Sequence, residues 1–407
     1  MSWPRRRVEG GDLVMCPGGD RMVLVPGTAT GRSDERPAPL PEGWVRPSAR
    51  PERLALLGVD PGGAETTTLD EPAAEALVHE AVRGRVVPAL SAALRTGTLA
   101  VPHRVRVAVE RLDREVQETS LAIEETALHA QEVLVRAGVR PVVLKGLATA
   151  HLDHPGPHLR QMGDVDLLVG PADFAAAERS LLAAGFASMR RAGGSELTPA
   201  VPVRSPRGVE VDLHRLPTRR PYGGWWLERG EWPDLATCPP HGWAVLPRAD
   251  RLVHAVAHHV LSTGVHRRLS SVADALALWP RTGTDEGWPD AVRRWRAATL
   301  VSTFRRLVAE DLGIGLPELP GCPTGSPRWY EGSVAGGRGV DAVLLYYGRL
   351  SAVPPHRAPA EVWHMVFPGP EALCRAGHRS WTARTIHGVR HLYRSRRGTG
   401  SVTGPGS

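Results

Sequence analysis

The sequence predicts an α+β fold: a mixed β-sheet core with helices packed against it, flanked by helical regions. Three observations carry this expectation. Strand and helix patterns alternate through the middle third, long stretches of helical periodicity lie before and after it, and each such segment has an apolar side to bury. The 407 residues are enough for a sizeable core, and a composition of 42% hydrophobic and 23% charged residues excludes a wholly disordered or fibrous chain. With 44 glycines and 37 prolines, long irregular connections are expected.

Residues 1–60, with Gly/Pro-rich turns around a short apolar MVLV, predict an irregular N-terminal arm. A helical lead-in follows over 61–135. Helical spacing runs through EPAAEALVHEAVRGRVVPAL from Glu71, and again from Val105 to about Ala137, with Gly138 as the stop. The core is expected over 136–235, with strands VVL (142–144), DVDLLV (164–169), FASM (186–189) and VEVDLHRL (209–216). Its helices are GLATAHL (146–152) and DFAAAERSLLAAG (173–185), and the Gly/Ser/Pro-rich connection before VEVDLHRL suggests a hairpin excursion. Residues 236–395 read as a mainly helical C-terminal domain, with helices at 249–261, 269–278 and, broken once, from Trp288 to Gly313. A loop at 321–340, small apolar elements at 342–350 and 386–393, and a flexible tail over 396–407 complete the chain.

No apolar run approaches the roughly 20 residues that span a bilayer, and the first residues lack the hydrophobic stretch of a signal peptide. A cytoplasmic protein with no membrane partner is the expectation. Cys16, Cys238, Cys322 and Cys374 are far apart and read as isolated thiols. The net charge of +7 does not choose between a nucleotide, a nucleic acid and a membrane. Within it, Lys145 is the only lysine among 50 basic side chains. Arginine groups at Arg219–Arg220, Arg267–Arg268 and Arg293–Arg294 read as solvated basic faces, so nucleic acid is a partner allowed but not favoured. Walker, GxSxG, GxGxxG and kinase signatures are missing.

The sharpest local feature is Gly163-Asp164-Val165-Asp166-Leu167-Leu168-Val169. Residues two apart on a strand share a side, so Asp164 and Asp166 form a polar edge while Val165 and Leu167 face the core. The alternation recurs in Val209-Glu210-Val211-Asp212-Leu213-His214, which offers Asp212 as a third carboxylate. Three such acids suit Mg²⁺, a hard cation that bridges carboxylates to substrate phosphates. The competing reading is that they cap strands or pair with arginines. Upstream, Leu144-Lys145-Gly146 reads as a strand, a tight turn and a helix N-terminus, where the ammonium and backbone favour an anionic phosphate. Arg160 is a second phosphate candidate or a surface arginine. His254 and His258 stand one helical turn apart with His259 adjacent, and read first as structural helix residues, then as nucleotide contacts or a metal pair. His151, His154 and His158 read as exposed loop histidines, one of them near the site entrance.

Together VVLKGLATAHL, LRQMGDVDLLV and EVDLHRL resemble the uncharacterised bacterial nucleotidyltransferase family, a divergent branch of the polymerase beta-type superfamily. The resemblance extends over about residues 70–315 and implies a nucleotidyltransferase-like core. It assigns a KG pair to Lys145 and Gly146, the arginine to Arg160, the metal-binding and catalytic acids to Asp164, Asp166 and Asp212, and a following histidine to His214. More loosely, it matches His258 and Asp274 on the two later helices. Lys145-Gly146 replaces the Gly-Ser or Gly-Gly of the wider superfamily, which leaves open how the triphosphate is held.

The expectation is a Mg²⁺-dependent enzyme, with Mn²⁺ as an alternative ion, that transfers a nucleoside monophosphate from an NTP to an acceptor and releases pyrophosphate. Nucleotide contacts are expected at Lys145, Gly146, Arg160 and Gly163. The acceptor is a small molecule, such as a biosynthetic intermediate, or a protein. The alternative is a noncatalytic nucleotide-binding or protein-interaction module that keeps the fold. Oligomeric state is not legible.

Overall fold

The computed structural model describes residues 40–319, except 42, 47, 60–65, 190–199, 219–221, 223, 262–267 and 280–286, together with three N-terminal strands and a few single positions from 322 onward. Most of the expected loop at 321–340, the elements at 342–350 and 386–393, the tail, and Cys16, Arg219, Arg220, Arg267 and Cys374 lie outside the described residues.

Within the N-terminal arm, β1 (Arg5–Val8), β2 (Gly11–Met15) and β3 (Met22–Pro26) pair as an antiparallel sheet, and α1 (Pro51–Leu56) follows. The lead-in contains β4 (Thr67–Thr68), α2 (Glu71–Gly84), α3 (Val87–Thr96), β5 (Leu99–Ala100) and α4 (His103–Arg136). Asp70 caps α2 by accepting from the Ala73 N–H at 2.9 Å. The helix closes on Arg85, whose φ of 57° separates α2 from α3 where the sequence reads as one helical stretch. Helix α4 keeps a single apolar stripe for 34 residues. Its first half packs with α2 and α3, its second against the sheet.

The central sheet is built from β6 (Val142–Val143), β7 (Val165–Leu168), β8 (Ala187–Ser188), β9 (Ala200–Arg204), β10 (Glu210–His214), β11 (Ala236–Cys238) and β12 (Trp243–Val245). Its strand order is β11-β12-β6-β7-β10-β9-β8, with β12–β6 and β7–β10 parallel and the other pairs antiparallel. The sheet therefore continues past residue 235, into two three-residue strands that carry too little pattern to be read from sequence. Helices α5 (Lys145–Leu152) and α6 (Phe174–Ala183) leave β6 and β7, and the four-residue α7 (Trp225–Glu228) follows β10. The remaining helices are α8 (Arg248–Leu261), α9 (Leu269–Leu278), α10 (Trp288–Trp295) and α11 (Ala298–Leu312), the last two divided at Arg296 with φ 52°.

The period-2 alternation sorts the sheet into two faces. Val143, Val165, Leu167, Val211 and Leu213 pack against α4 and α6 around Ile123, Ala127 and Leu181. The other face presents Val142, Leu144 and Leu168 to a core formed largely by α8–α11. Asp166 and Asp212 share this second face, beneath the C-terminal helices. Among the described residues, no helix is long and apolar enough to cross a membrane.

Candidate active site

Strands β7 and β10 run parallel with Asp166 opposite Asp212, so their side chains rise from adjacent strands spaced about 4.8 Å apart. Asp164 lies just before β7. All three acids line one cavity of about 260 Å³ together with Lys145, Gly146, Arg160 and Gly163. The alternation is as the sequence implies, but Asp166 is not on a solvated edge: the helices above reduce its exposure to 3%.

Burial without partners would hold Asp166 neutral. Lys145 Nζ instead donates to its Oδ1 at 2.5 Å, and His214 Nε2 lies 2.8 Å from the same oxygen. Burial raises the carboxyl pKa, but these two contacts outweigh it and hold Asp166 well below the usual carboxylate range. For Lys145, burial would lower the pKa; the attraction of Asp166, Asp164 and Asp212 reverses this and keeps the ammonium charged. Among the described residues Asp212 has no such close cation, and burial followed by repulsion from Asp166 pushes it up to about 6. Burial and Asp166 also raise Asp164, against Lys145, Arg85 and Arg268. The arrangement is thus one firmly ionised carboxylate flanked by two whose charge is resisted.

The tight turn falls at Lys145, between the strand and the helix, where the sequence places it. Lys145 itself takes the left-handed conformation, with φ 47°, a strain of roughly 1–3 kcal/mol for a residue with a side chain. Gly146 is an ordinary helical residue, and a Cβ there would make normal contacts with Met162 Cγ at 3.6 Å and Arg160 Nη2 at 3.7 Å. The strained backbone directs the lone lysine onto Asp166 at the start of α5, a helix with no side-chain N-cap. Its first-turn N–H groups are therefore available to an anion at the cavity wall.

Arg160 reaches the cavity, but its fork is occupied. Nε and Nη2 donate to the two carboxylate oxygens of Asp274, each at 2.7 Å, and Asp274 also meets His154 Nε2 at 2.9 Å and Thr149 Oγ1 at 3.2 Å. Burial opposes the Asp274 charge, yet Arg160 and His154 hold it far below the usual range. Asp274 thereby ties α9 to the loop that leads into β7. Gly163 has a distinct steric role: a Cβ there would collide with Arg85 Nη1. Its bare backbone makes room for the Arg85 guanidinium, which lies 4.0 Å from Asp164.

The histidines divide by environment. His254 and His258 line the cavity from α8, and no third donor completes a metal set with them among the described residues. Burial, then the charges of Lys145 and His214, holds His254 down to about 3. Burial also lowers His258, followed by Lys145 and His254. His259 instead meets Ser271 Oγ at 3.0 Å. The fold corrects two of the three expected exposed loop histidines: His151 belongs to α5 with its side chain only 7% exposed, and His154 is held by Asp274. His158 is exposed, as expected, in a short 3-10 turn (Pro157–Leu159).

Arg85, Arg268 and Arg251 also line the cavity; no motif marks Arg85 or Arg251, and Arg268, expected on a solvated basic face, instead faces the site. Arg251 is committed to Asp153 through two bonds of 2.9 and 2.7 Å. Arg85 and Arg268 come from turns before α3 and α9, far in sequence from the DxD strand, and an arginine-rich composition hides them.

No curated protein matches the chain in sequence. Among solved structures, the chain is similar to an antigenic nucleotidyltransferase-like protein from Paracoccidioides brasiliensis, at 13% identity over 50% of this chain and 95% of that one, with a TM-score of 0.28. Residues 70–310, from the cap of α2 to the last turn of α11, match the family described as "Uncharacterised nucleotidyltransferase". That match covers more than half of the chain and includes every residue placed in the cavity, so the protein belongs to this nucleotidyltransferase family, and nucleotidyl transfer is the general activity its membership supports.

Proposed function

We propose that the protein is a divalent-metal-dependent nucleotidyltransferase that moves a nucleoside monophosphate from an NTP to a hydroxyl or phosphate oxygen of a small-molecule or protein acceptor. The observation that carries this reading is the convergence of Asp164, Asp166 and Asp212 with Lys145 on one cavity. The donor set fits a hard cation. Atoms of Asp166, Asp212 and His214 lie within 4.8 Å of one another. The two carboxylates are the oxygen donors that Mg²⁺ prefers, while His214 serves Asp166 as a hydrogen-bond partner. A bound cation also relieves the repulsion that raises Asp164 and Asp212. Mg²⁺, or Mn²⁺ in its place, would supply charge neutralisation of the triphosphate oxygens.

The chain's own groups account for the rest. Lys145 and the first turn of α5 receive phosphate oxygens, with Arg85 and Arg268 on the rim and Arg160 adding charge from the wall. Asp212 takes the proton of the acceptor hydroxyl. The acceptor oxygen bonds to the α-phosphorus as the bond to the β-phosphate oxygen breaks, and pyrophosphate leaves. A volume of about 260 Å³ is below the usual range of about 300–1,000 Å³ for whole-ligand sites. The cavity therefore encloses the triphosphate end, with base and acceptor toward its mouth.

The test is incubation of the full chain with each NTP, Mg²⁺ and a metabolite extract, followed by mass spectrometry and a pyrophosphate assay. Acceptor-dependent pyrophosphate with a product heavier by one nucleoside monophosphate unit supports transfer. Nucleotide binding with no pyrophosphate for any NTP and extract would instead indicate a noncatalytic module.

A further inference from the structure

A second group of potential metal donors lies on another part of α5. Glu124 comes from the middle of α4, His151 from the last turn of α5, and His241 from the turn between β11 and β12. Their donor atoms all lie within 4.8 Å of one another. Glu124 Oε1 is 2.5 Å from His241 Nε2 and 3.4 Å from His151 Nε2. Donors bound at about 2.0–2.1 Å in a tetrahedron stand about 3.3 Å apart, so small adjustments bring the three into a common coordination sphere.

Two independent features favour an ion over a simple ion-pair cluster. His151 is only 7% exposed, and its Nε2 is buried without a hydrogen bond while directed toward Glu124. A buried imidazole nitrogen left in this state loses its water without a replacement, and a metal bond would satisfy it. The rings are also arranged edge to face, with His151 and His241 centroids 5.4 Å apart at 83°, and Trp243 lies 5.5 Å from the first and 4.5 Å from the second. An indole wall of this kind lowers the local dielectric around the donors.

We propose that Glu124, His151 and His241 form a zinc site that fastens α4, the C-terminal turn of α5 and the β11–β12 turn together. Two imidazoles and one carboxylate suit Zn²⁺ better than Mg²⁺ or Ca²⁺, which select all-oxygen sites, and a water completes four-coordination. Cys238, at the start of the same turn, is outside the set; its Sγ donates to the Pro239 carbonyl at 3.5 Å. Binding displaces the proton shared between Glu124 and His241. The site anchors one end of α5, whose other end carries Lys145. It does not depend on the proposed nucleotidyl transfer.

The experiment is metal analysis of the full chain, stripped with chelator, reloaded with ZnCl₂ and desalted, alongside Glu124→Gln, His241→Ala and Asp212→Asn. The expected result is one zinc per chain in the wild type and in Asp212→Asn, with at least a tenfold lower content in the other two, by analogy with losses on changing metal-site residues. Calorimetric titration of stripped wild type should give a Kd tighter than about 1 µM, with a higher melting temperature once zinc is added. Should His241→Ala fail to fold, Co²⁺ titration of the wild type decides, because a four-coordinate N/O site gives intense visible absorption. Zinc lost only in Asp212→Asn, equal retention in all variants, or no site-specific Co²⁺ spectrum would overturn the proposal.

Discussion

Lys145 and Asp166 form an ion pair at 2.5 Å in which a half-buried cation sits on strained backbone and the anion on a fully buried strand. Removing the lysine leaves Asp166 with His214 alone. Lys145→Ala should destabilise the protein by about 3 kcal/mol and weaken MgNTP binding by about tenfold or more. Lys145→Arg should restore neither fully, because a planar fork does not reproduce a compact ammonium. Urea unfolding and calorimetric titration measure the two effects, and unchanged NTP affinity would remove Lys145 from the phosphate site.

The three carboxylates should separate by their surroundings. Asp164→Asn and Asp212→Asn keep shape and should lower turnover by about 100-fold or more with little change in melting temperature. Asp166→Asn should lose turnover and stability together, since it also deprives Lys145 of its anion. Asp290, on the exposed face of α10 with 65% side-chain exposure, provides the control, and Asp290→Asn should match wild type. Pyrophosphate release under steady-state conditions, with melting curves for each variant, provides the check.

Gly163 makes an unusually specific prediction. A methyl group there collides with the Arg85 guanidinium, the mobile end of a long side chain. Gly163→Ala should therefore fold normally but displace Arg85 from the cavity rim, raising KM for the NTP several-fold with a smaller effect on kcat. Arg85→Ala should reproduce that kinetic change, and the double variant should add little to either single one. Additive effects would show that the two residues act separately.

Asp274 links the site to pH. Its folded pKa is depressed by Arg160 and His154 against the effect of burial, whereas in the unfolded chain it is about 3.9. Its contribution to stability is therefore fully present above about pH 5 and lost as the pH falls through 4 toward the folded value. Asp274→Asn should cost about 3 kcal/mol at pH 7 by stranding Arg160, and the gap from wild type should narrow between pH 5 and 3. Urea unfolding across that range tests the sign; a gap that widens on acidification contradicts it.

Much of this architecture is legible from periodicity. The DVDLLV and VEVDLHRL alternations place Val165, Leu167, Val211 and Leu213 on the α4 face and their acids on the other. Helices α4, α5, α6, α8 and α9 begin and end within a few residues of the expected bounds, because their apolar stripes are long or their glycine stops clear. What escaped notice depends on contacts between distant segments. Arg85 joins the cavity through a left-handed turn 78 residues before Gly163, and nothing local distinguishes it from the other arginines. The pairing of Arg160 with Asp274 and the convergence of Glu124, His151 and His241 likewise exist only after the chain has folded. Strands β11 and β12 are each three residues long, too short for an alternating pattern to register.

The late arrival of β12 has a practical consequence. Strand β6 is paired on one side with β7 and on the other with β12, which the chain supplies about a hundred residues later. A fragment ending at 235 would leave Val142 and Val143 as an uncovered apolar edge, with backbone donors and acceptors ready to recruit another molecule. Such a fragment should self-associate through that edge. A soluble piece bearing the three carboxylates must extend at least through Val245.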